Sequence, residues 1–512
     1  MKDFIKAHYI ILHTLLIPVF FIVHNCFDFY SLIDIEELKQ EIVLWLLLPF
    51  IFTSLFYLLF RNLFKASLLS SLLLILIFFG PSFMAFAGKI QLLFYFSKLS
   101  FFYACTIILL VFVLIKMRRS KNNYLSLHRF LFVCFLILLI YEPIYWFAGG
   151  RQKIVRKNRV TLSEIPELKN TITVSDSLPD IYFLVFDELA TSDTYRQLLN
   201  YDNIQKDSLL QSMGFKVMQH SFAASFFTHA AIPTVLNMCY LPYKEQQQIT
   251  FGDMHALMRS VNQNVLVSFL IANGYKIYNG SIFSLQNIPG LTKPQLWGLH
   301  PASDLITNQT LPLNTWNRLG WMIKSKIPGT ISAGDRLVSD TALINEAYSI
   351  VQNTIADTTQ KRKFLYAHFL LPHAPVRYDS TGQVLHWTNA NEYNEKNKSN
   401  NLYKGQVKYT FDLIIKLCSQ ILEQSKRPTV IILQGDHGLR DFDTSRFNQS
   451  LKLQPYTAFY FFDRNYSSLP DTFYTPNTFR IVMNQYFNQQ LPMLKRKLYY
   501  LRRENEASLF RH

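Results

Sequence analysis

Four places in this chain carry residues that could do chemistry together. Gly435-Asp436-His437-Gly438 sets a carboxylate beside an imidazole, fenced by glycines. Asp187 closes an apolar run, Asp180 to Phe186. His368 and His373 bracket the stretch His-Phe-Leu-Leu-Pro-His. Thr228 sits in Ser225 to Met238, just ahead of a helical pattern. Carboxylate oxygen with imidazole nitrogen suits zinc or manganese; an all-oxygen calcium site would not need the histidine. One divalent metal on such a set could activate a hydroxyl and neutralise a phosphoryl oxygen. A hydroxyl at a helix start, as at Thr228, is well placed as nucleophile because N–H groups and the helix dipole help to hold an anion there. Arg440, just past the Asp-His pair, is a candidate phosphate-binding cation.

The elements that must position these groups are strands. Val430-Ile431-Ile432-Leu433 follows the turn signal Arg427-Pro428 and reads as a buried strand ending at Asp436. Pro179 to Glu188 reads the same way, as does Lys363 to Phe369. Helical patterns lie between them, at about Ser339 to Ala356 and Tyr403 to Glu423, and Tyr456 to Phe462 is a further strand. The stretch from about 285 to 335 is rich in Pro, Asn and Thr and weakly patterned. Alternating strands and helices predict one α/β domain with a central, mostly parallel sheet. Such sheets carry their ligands at the carboxyl ends of the strands.

The first 150 or so residues are different. Five apolar runs, at about Ala7–His24, Ile42–Phe60, Ala66–Gly88, Ser100–Ile115 and Phe130–Phe147, approach the length needed to cross a hydrocarbon layer of about 30 Å. The first is too long, and lacks the small-residue cleavage site, to be a removed signal peptide. The loop Lys116–Arg129 is the most basic and the loop Asp28–Glu41 is acidic, which predicts the N-terminus inside and everything after the fifth run outside. Arg151, Lys153, Arg156, Lys157 and Arg159 run against that rule, but long translocated domains obey it poorly. His13, His24 and His128 read as interfacial, and Glu142 is an acid near the outer end of the last run. The expected organisation is therefore 1–149 transmembrane helices, 150–178 a basic juxtamembrane linker, 179–490 a catalytic domain and 491–512 a basic tail. The net charge of +16 lies in loops beside the membrane and in that tail, so anionic lipid headgroups are a better partner than nucleic acid. Five cysteines, three of them in or beside the apolar runs, exclude a disulfide framework.

The order Asp187, Thr228, Gly-Asp436-His437-Gly resembles the alkaline phosphatase superfamily. Leu236-Asn237-Met238, Leu371-Pro372-His373-Ala374-Pro375, Tyr403-Lys404-Gly405-Gln406 and Asn477-Thr478-Phe479-Arg480 look like its membrane-anchored, sulfatase-like branch, with the lipoteichoic acid synthases and phosphoethanolamine transferases. The resemblance spans about 179 to 500. It implies that Asp187, Asp436 and His437 hold one metal, with Thr228 as further ligand and nucleophile. It implies that His368 and His373 face the substrate phosphate or the leaving group. The implied reaction moves phosphoethanolamine or phosphoglycerol from a phospholipid donor, through phospho-Thr228, to an envelope glycan or lipid acceptor. Helices ahead of the catalytic domain suit a multi-pass protein of the bacterial cytoplasmic membrane, with that domain periplasmic or extracellular. The Cys/Ser-x-Pro-x-Arg motif that sulfatases oxidise to formylglycine is absent; Thr228-His229-Ala230-Ala231-Ile232 stands in its place. The first strand ends in Asp-Glu where sulfatases usually show paired aspartates. Sulfate-ester hydrolysis by that route is not expected. A phosphodiesterase or phosphatase using water, and a non-catalytic envelope-assembly protein, are the alternatives.

Overall fold

A computed structural model of the chain describes residues 12–30, 33, 38–153, 162–169, 178–286, 288–291, 304–324, 333–359, 362–385, 400–440 and 449–503. Much of the expected basic linker, 154–161 and 170–177, lies outside the described residues, as does the tail beyond 503. The chain forms two compact units. One comprises Met1–Arg159 with His300–Thr330; the other comprises Val160–Leu299 with Ile331–His512.

The first unit is helical. Helix α1 spans His13–Asp28, α2 Lys39–Phe60, α3 Leu63–Ala87, α4 Leu99–Arg119 and α5 Leu125–Tyr145, which continues through a π turn to Lys153. Among the described residues, four helical runs, α2, α3, α4 and Leu125–Lys153, are long and apolar enough to cross a membrane. Of the first of the five expected runs the described residues include the 16-residue α1, about 24 Å at 1.5 Å per residue; residues 7–11 lie outside them. Helix α1 packs against α3 and α5, and its polar groups are matched there. His13 is wholly buried, with Nε2 2.7 Å from His128 Nδ1 and Nδ1 2.8 Å from Ser71 Oγ. His13 and His128, expected at an interface, are therefore a buried pair. His24 Nδ1 meets Glu142 Oε1 at 2.6 Å.

The second unit is built on a six-stranded sheet. Its strands are β1 Asp180–Phe186, β2 Lys216–Val217, β5 Lys276–Gly280, β6 Lys363–Phe369, β7 Thr429–Gly435 and β8 Thr457–Phe461, in the order β2-β8-β7-β1-β6-β5. β7, β1, β6 and β5 are parallel; at one edge β8 runs antiparallel to β7, and β2, antiparallel to β8, runs the same way as β7. Smaller parallel pairs join β3 (His220–Phe222) to β9 (Thr472–Tyr474) and β4 (Gln246–Ile249) to β10 (Tyr500–Arg503). The helices, in chain order, are α6 Ser192–Leu199, α7 Ile204–Ser212, α8 Thr228–Leu236, α9 Phe251–Asn262, α10 Val265–Ala272, α11 Asp304–Thr307, α12 Leu311–Lys324, α13 Ala333–Ala356, α14 Asn400–Gln424 and α15 Thr478–Tyr486. Of these, α11 and α12 belong to the helical unit, not to this one.

Every residue of β1, β6 and β7 is buried, which is why these strands read as unbroken apolar runs. The period of two divides their side chains between two cores. Tyr182, Leu184 and Phe186 face one side, with Val351 of α13 and Val407, Phe411 and Ile414 of α14. Ile181, Phe183 and Val185 face the other, with Ile232 and Val235 of α8, Leu270 of α10 and Phe479 of α15. The segment expected to be a basic tail folds into this unit as far as Arg503. Leu494, Tyr499 and Leu501 are buried, and the basic residues alternate around them.

Candidate active site

Strand β1 is flanked by β6 and β7, and the register sets Val185 level with both His368 and Gln434. The residues that leave β1 and β7 therefore emerge side by side at the carboxyl edge. Asp187, His368 and Asp436 are all buried there, and one ligand atom from each lies within 4.8 Å of the other two. Asp436 Oδ1 accepts the backbone N–H of Glu188 at 3.0 Å and of His437 at 2.9 Å. Asp187 Oδ1, Asp436 Oδ2 and His368 Nε2 make no hydrogen bond. Three buried polar atoms left this way cost free energy unless something binds them.

The histidines point to what binds them. His437 Nδ1 donates to the Gly438 carbonyl at 2.8 Å, since a carbonyl can only accept. In the neutral ring Nε2 then carries the lone pair, and it lies 3.4 Å from Asp436 Oδ2 and 3.7 Å from Asp187 Oδ1. Lone pairs and carboxylate oxygens converge on one point, an arrangement that a cation satisfies. His368 Nδ1 is hydrogen-bonded to the Tyr366 hydroxyl at 2.9 Å, which turns Nε2 toward the carboxylates. Burial, opposed by the charge of Asp436, lowers the His368 pKa to about 4. The ring is neutral at physiological pH, the form that ligates metals. Burial, then repulsion from Asp436, pushes Asp187 well above the usual carboxyl range. Burial also acts against ionised Asp436, but His437, His368, the Thr228 hydroxyl and the hydrogen bond from the Glu188 N–H outweigh it and hold this carboxyl low. These residues fit a divalent cation with mixed oxygen and nitrogen donors. His368, expected only to face the substrate, stands in the same group as the two aspartates.

Thr228 is the first residue of α8, as its position in the sequence predicted. Its hydroxyl lies close enough to the Asp436 carboxyl to help hold that group ionised. The nine-residue α8 is almost wholly buried and carries Pro233, and Thr234 Oγ1 bonds back to the Ala231 carbonyl beside it. Its far end is anchored by the motifs noted above. Asn237 Nδ2 donates to the Ser260 carbonyl, and Asn237 Oδ1 accepts from Val265 N–H. Met238 holds a left-handed φ of 52°, unusual for a residue with a side chain. The buried Arg480 guanidinium grips the Met238 carbonyl at 2.6 and 2.9 Å and also donates to the carbonyls of Pro492 and Glu164. Asn477 pairs with the Leu494 backbone in both directions. These contacts fix the helix whose N-terminus carries Thr228.

A second group borders the first. Glu188, which reads from sequence as a surface or supporting acid, is buried and has a left-handed φ of 64°. Its carboxylate accepts the Arg440 N–H. Arg440 Nη2 donates to His373 Nε2 at 2.7 Å, and its guanidinium lies 6.0 Å from the Phe227 ring centre, next to Thr228 in sequence. His373 Nε2 is 4.0 Å from Glu188 Oε2, and its backbone N–H donates to the Asp187 carbonyl. The loop that carries His373 is held from below. Arg377 Nη1 donates to the Leu370 and His373 carbonyls, both at 2.9 Å. Gln406 Nε2 donates to the Pro372 and His373 carbonyls, and Gln406 Oε1 accepts from the N–H groups of Arg377 and Tyr378. His229 is buried, its ring stacked 5.5 Å from that of Phe227. Sequence reasoning passed over Tyr366 and Arg377. Tyr366, two residues before His368 on one face of β6, was the available signal for the first.

Parallel strands that deliver two buried carboxylates and two imidazoles to one edge, with a hydroxyl at a helix start beside them, define a metallo-hydrolase or phosphotransferase type of α/β domain. Residues 216–459 match the Sulfatase family model. No curated protein matches the sequence. Among solved structures, the zinc complex of the C-terminal periplasmic domain of EptC from Escherichia coli is 11% identical, covering 66% of this chain and 92% of that one with a TM-score of 0.40. The integral membrane lipooligosaccharide phosphoethanolamine transferase A from Neisseria meningitidis is 14% identical, covering 93% and 94% with a TM-score of 0.36. The lipoteichoic acid synthase LtaP from Listeria monocytogenes is 10% identical, covering 60% and 71% with a TM-score of 0.32.

Proposed function

We propose that this chain is a membrane-bound, metal-dependent phosphoryl transferase. It takes phosphoethanolamine or phosphoglycerol from a phospholipid and passes it, through phospho-Thr228, to an envelope glycan or lipid. The observation that carries this reading is the Thr228 hydroxyl at the start of α8, beside Asp436 of the buried Asp187–His368–Asp436 group. The absence of the Cys/Ser-x-Pro-x-Arg motif turns the same domain away from sulfate esters.

Asp187, Asp436 and His437, with Thr228 and with His368 alongside, would hold one zinc or manganese ion. That ion supplies Lewis-acid activation of the hydroxyl and neutralises phosphoryl charge. The chain's own residues do the rest. Asp436, next to the Thr228 hydroxyl, orients its oxygen. The α8 N-terminus favours negative charge where the phosphoryl group would sit. Arg440, held by His373 Nε2, presents its remaining N–H groups to the phosphoryl oxygens. In the first step the Thr228 oxygen bonds to phosphorus, the bond from phosphorus to the diacylglycerol oxygen breaks, and that oxygen takes up a proton. In the second step the acceptor oxygen bonds to phosphorus, the bond from phosphorus to the Thr228 oxygen breaks, and the proton lost by the acceptor hydroxyl returns to Thr228. The apolar helices support a chain set in the bacterial cytoplasmic membrane, N-terminus inside and catalytic domain outside, where a donor lipid in the outer leaflet is at hand.

The full chain, incubated in phosphatidylethanolamine and phosphatidylglycerol vesicles, should release diacylglycerol and gain a headgroup-phosphate adduct on Thr228 by mass spectrometry. Thr228→Ala should do neither. An adduct that persists in Thr228→Ala refutes the covalent role. Diacylglycerol release with free phosphoethanolamine as product, whatever acceptor is added, assigns a hydrolase instead.

A further inference from the structure

The segment from Asp304 to Lys324 lies inside the sequence matched to the sulfatase family, yet it belongs to the helical unit. Ile306 is completely buried and joins the cluster of Ile17, Phe21, Trp45 and Phe78. Phe21, Trp45 and Phe78 come from the second half of α1, the start of α2 and the second half of α3, which share one end of an antiparallel bundle. Leu311 packs with Met84 near the end of α3 and Phe102 near the start of α4. Gly80 permits that approach, since a Cβ there would stand 3.2 Å from Phe102 and 3.7 Å from Leu311. Thr315 Oγ1 is 2.6 Å from the Tyr103 hydroxyl. In the topology proposed above this is the outer end of the bundle.

Leu311 and Thr315, four residues apart, give α12 one face against the bundle. Trp316 and Leu319 lie on another face, 45% and 39% exposed. The neighbouring ends of α3 and α4 and the turn between them also expose large apolar groups: Phe83, Phe86, Tyr95 and Phe101. Lys89 and Lys98 flank that turn. A ring of exposed aromatics with lysines at one end of membrane-crossing helices is the pattern of a membrane–water interface. A Trp in that ring is at home where one side is apolar and the other wet.

We infer that Asp304–Lys324 is a membrane-interface anchor contributed by the catalytic sequence. It seals the outer end of the bundle through Ile306 and Leu311 and rests Trp316 and Leu319 in the outer leaflet. The partner of this face is phospholipid. The inference does not depend on the reaction assigned to the chain.

The test uses the full chain in phosphatidylethanolamine/phosphatidylglycerol vesicles, with p-benzoylphenylalanine replacing Trp316 or, in a second variant, Leu319. The same group at Ile108, exposed on α4, is the lipid reference; at Ser468, exposed in the other unit, it is the water reference. After irradiation, position 316 or 319 should form phospholipid adducts at a yield close to that of 108 and several-fold above that of 468. Yields as low as 468 at both positions mean that the face is in water and overturn the anchor. Chain-to-chain adducts in place of lipid adducts mean that a second copy covers the face, and also overturn it. Neither readout requires an active enzyme.

Discussion

Replacing Asp187 with Asn should stabilise the metal-free protein while abolishing its response to metal. In the metal-free state Asp187 and Asp436 bring carboxylate oxygens within 4.8 Å inside the sheet edge. At an effective dielectric of about 20, two unit charges at that distance repel by about 3 kcal/mol. Burial and this repulsion are why the Asp187 pKa is raised from its ordinary 3.8. A carboxyl whose native pKa exceeds its unfolded one costs stability above the unfolded value, because the unfolded chain sheds the proton more easily. That penalty is absent below about pH 4 and grows as pH rises toward the raised native value. Asn removes it, at a cost of about 1–3 kcal/mol for an imperfectly paired buried amide. The net gain near pH 7 is about 0–2 kcal/mol, at most a few degrees in Tm, and it is lost below about pH 4. Wild type should gain about 2.7 kcal/mol when free zinc exceeds its dissociation constant a hundredfold; Asp187→Asn should gain almost nothing at that concentration. Thermal unfolding of the detergent-solubilised full chain, with and without chelator and across pH, measures all of this. A metal-free variant less stable than wild type, still raised equally by zinc, would refute the assignment of Asp187 to a cation site.

Two other substitutions probe how the site is held. Tyr366→Phe removes the hydrogen bond to His368 Nδ1 and should weaken metal binding about 10–100-fold, read by competition with a chelating dye, with chelator-treated Tm changed by only a few degrees. Gln406→Leu leaves up to four backbone groups of the 372–378 loop without their partner. It should cost on the order of 4 kcal/mol in a denaturant titration and lower kcat through displacement of His373, with metal affinity held near wild type.

The strands were legible for a physical reason. Parallel strands buried on both faces keep apolar residues at every position, so Ile181–Phe186 and Val430–Leu433 announce themselves without alternation. Asp187, Asp436 and His437 follow directly as the residues past those runs, and Thr228 as the first residue of a helix. His368 was harder. It lies within β6, and only the register against β1 decides that its ring joins the aspartates rather than a core. Glu188 turns inward through a left-handed backbone that side chains seldom adopt, so nothing local predicted its burial. Residues 311–324 appeared unpatterned because their packing partners are helices more than 200 positions earlier. The segment 494–503 read as a tail because its Lys and Arg outnumber the three apolar residues that tie it down.

Ile306 has a consequence for how the chain is made. The helix ending at Lys153 is complete before some 150 further residues appear, which at a synthesis rate of about 5–20 residues per second is roughly 8–30 s. Throughout that interval Phe21, Trp45 and Phe78 lack the side chain that completes their cluster. The helical unit therefore cannot mature before residue 306 reaches it. A chimera that grafts this helical bundle onto a relative's catalytic domain would inherit a bundle with one plug missing, so exchange of parts in this architecture has to carry residues 300–330 along with the first 159.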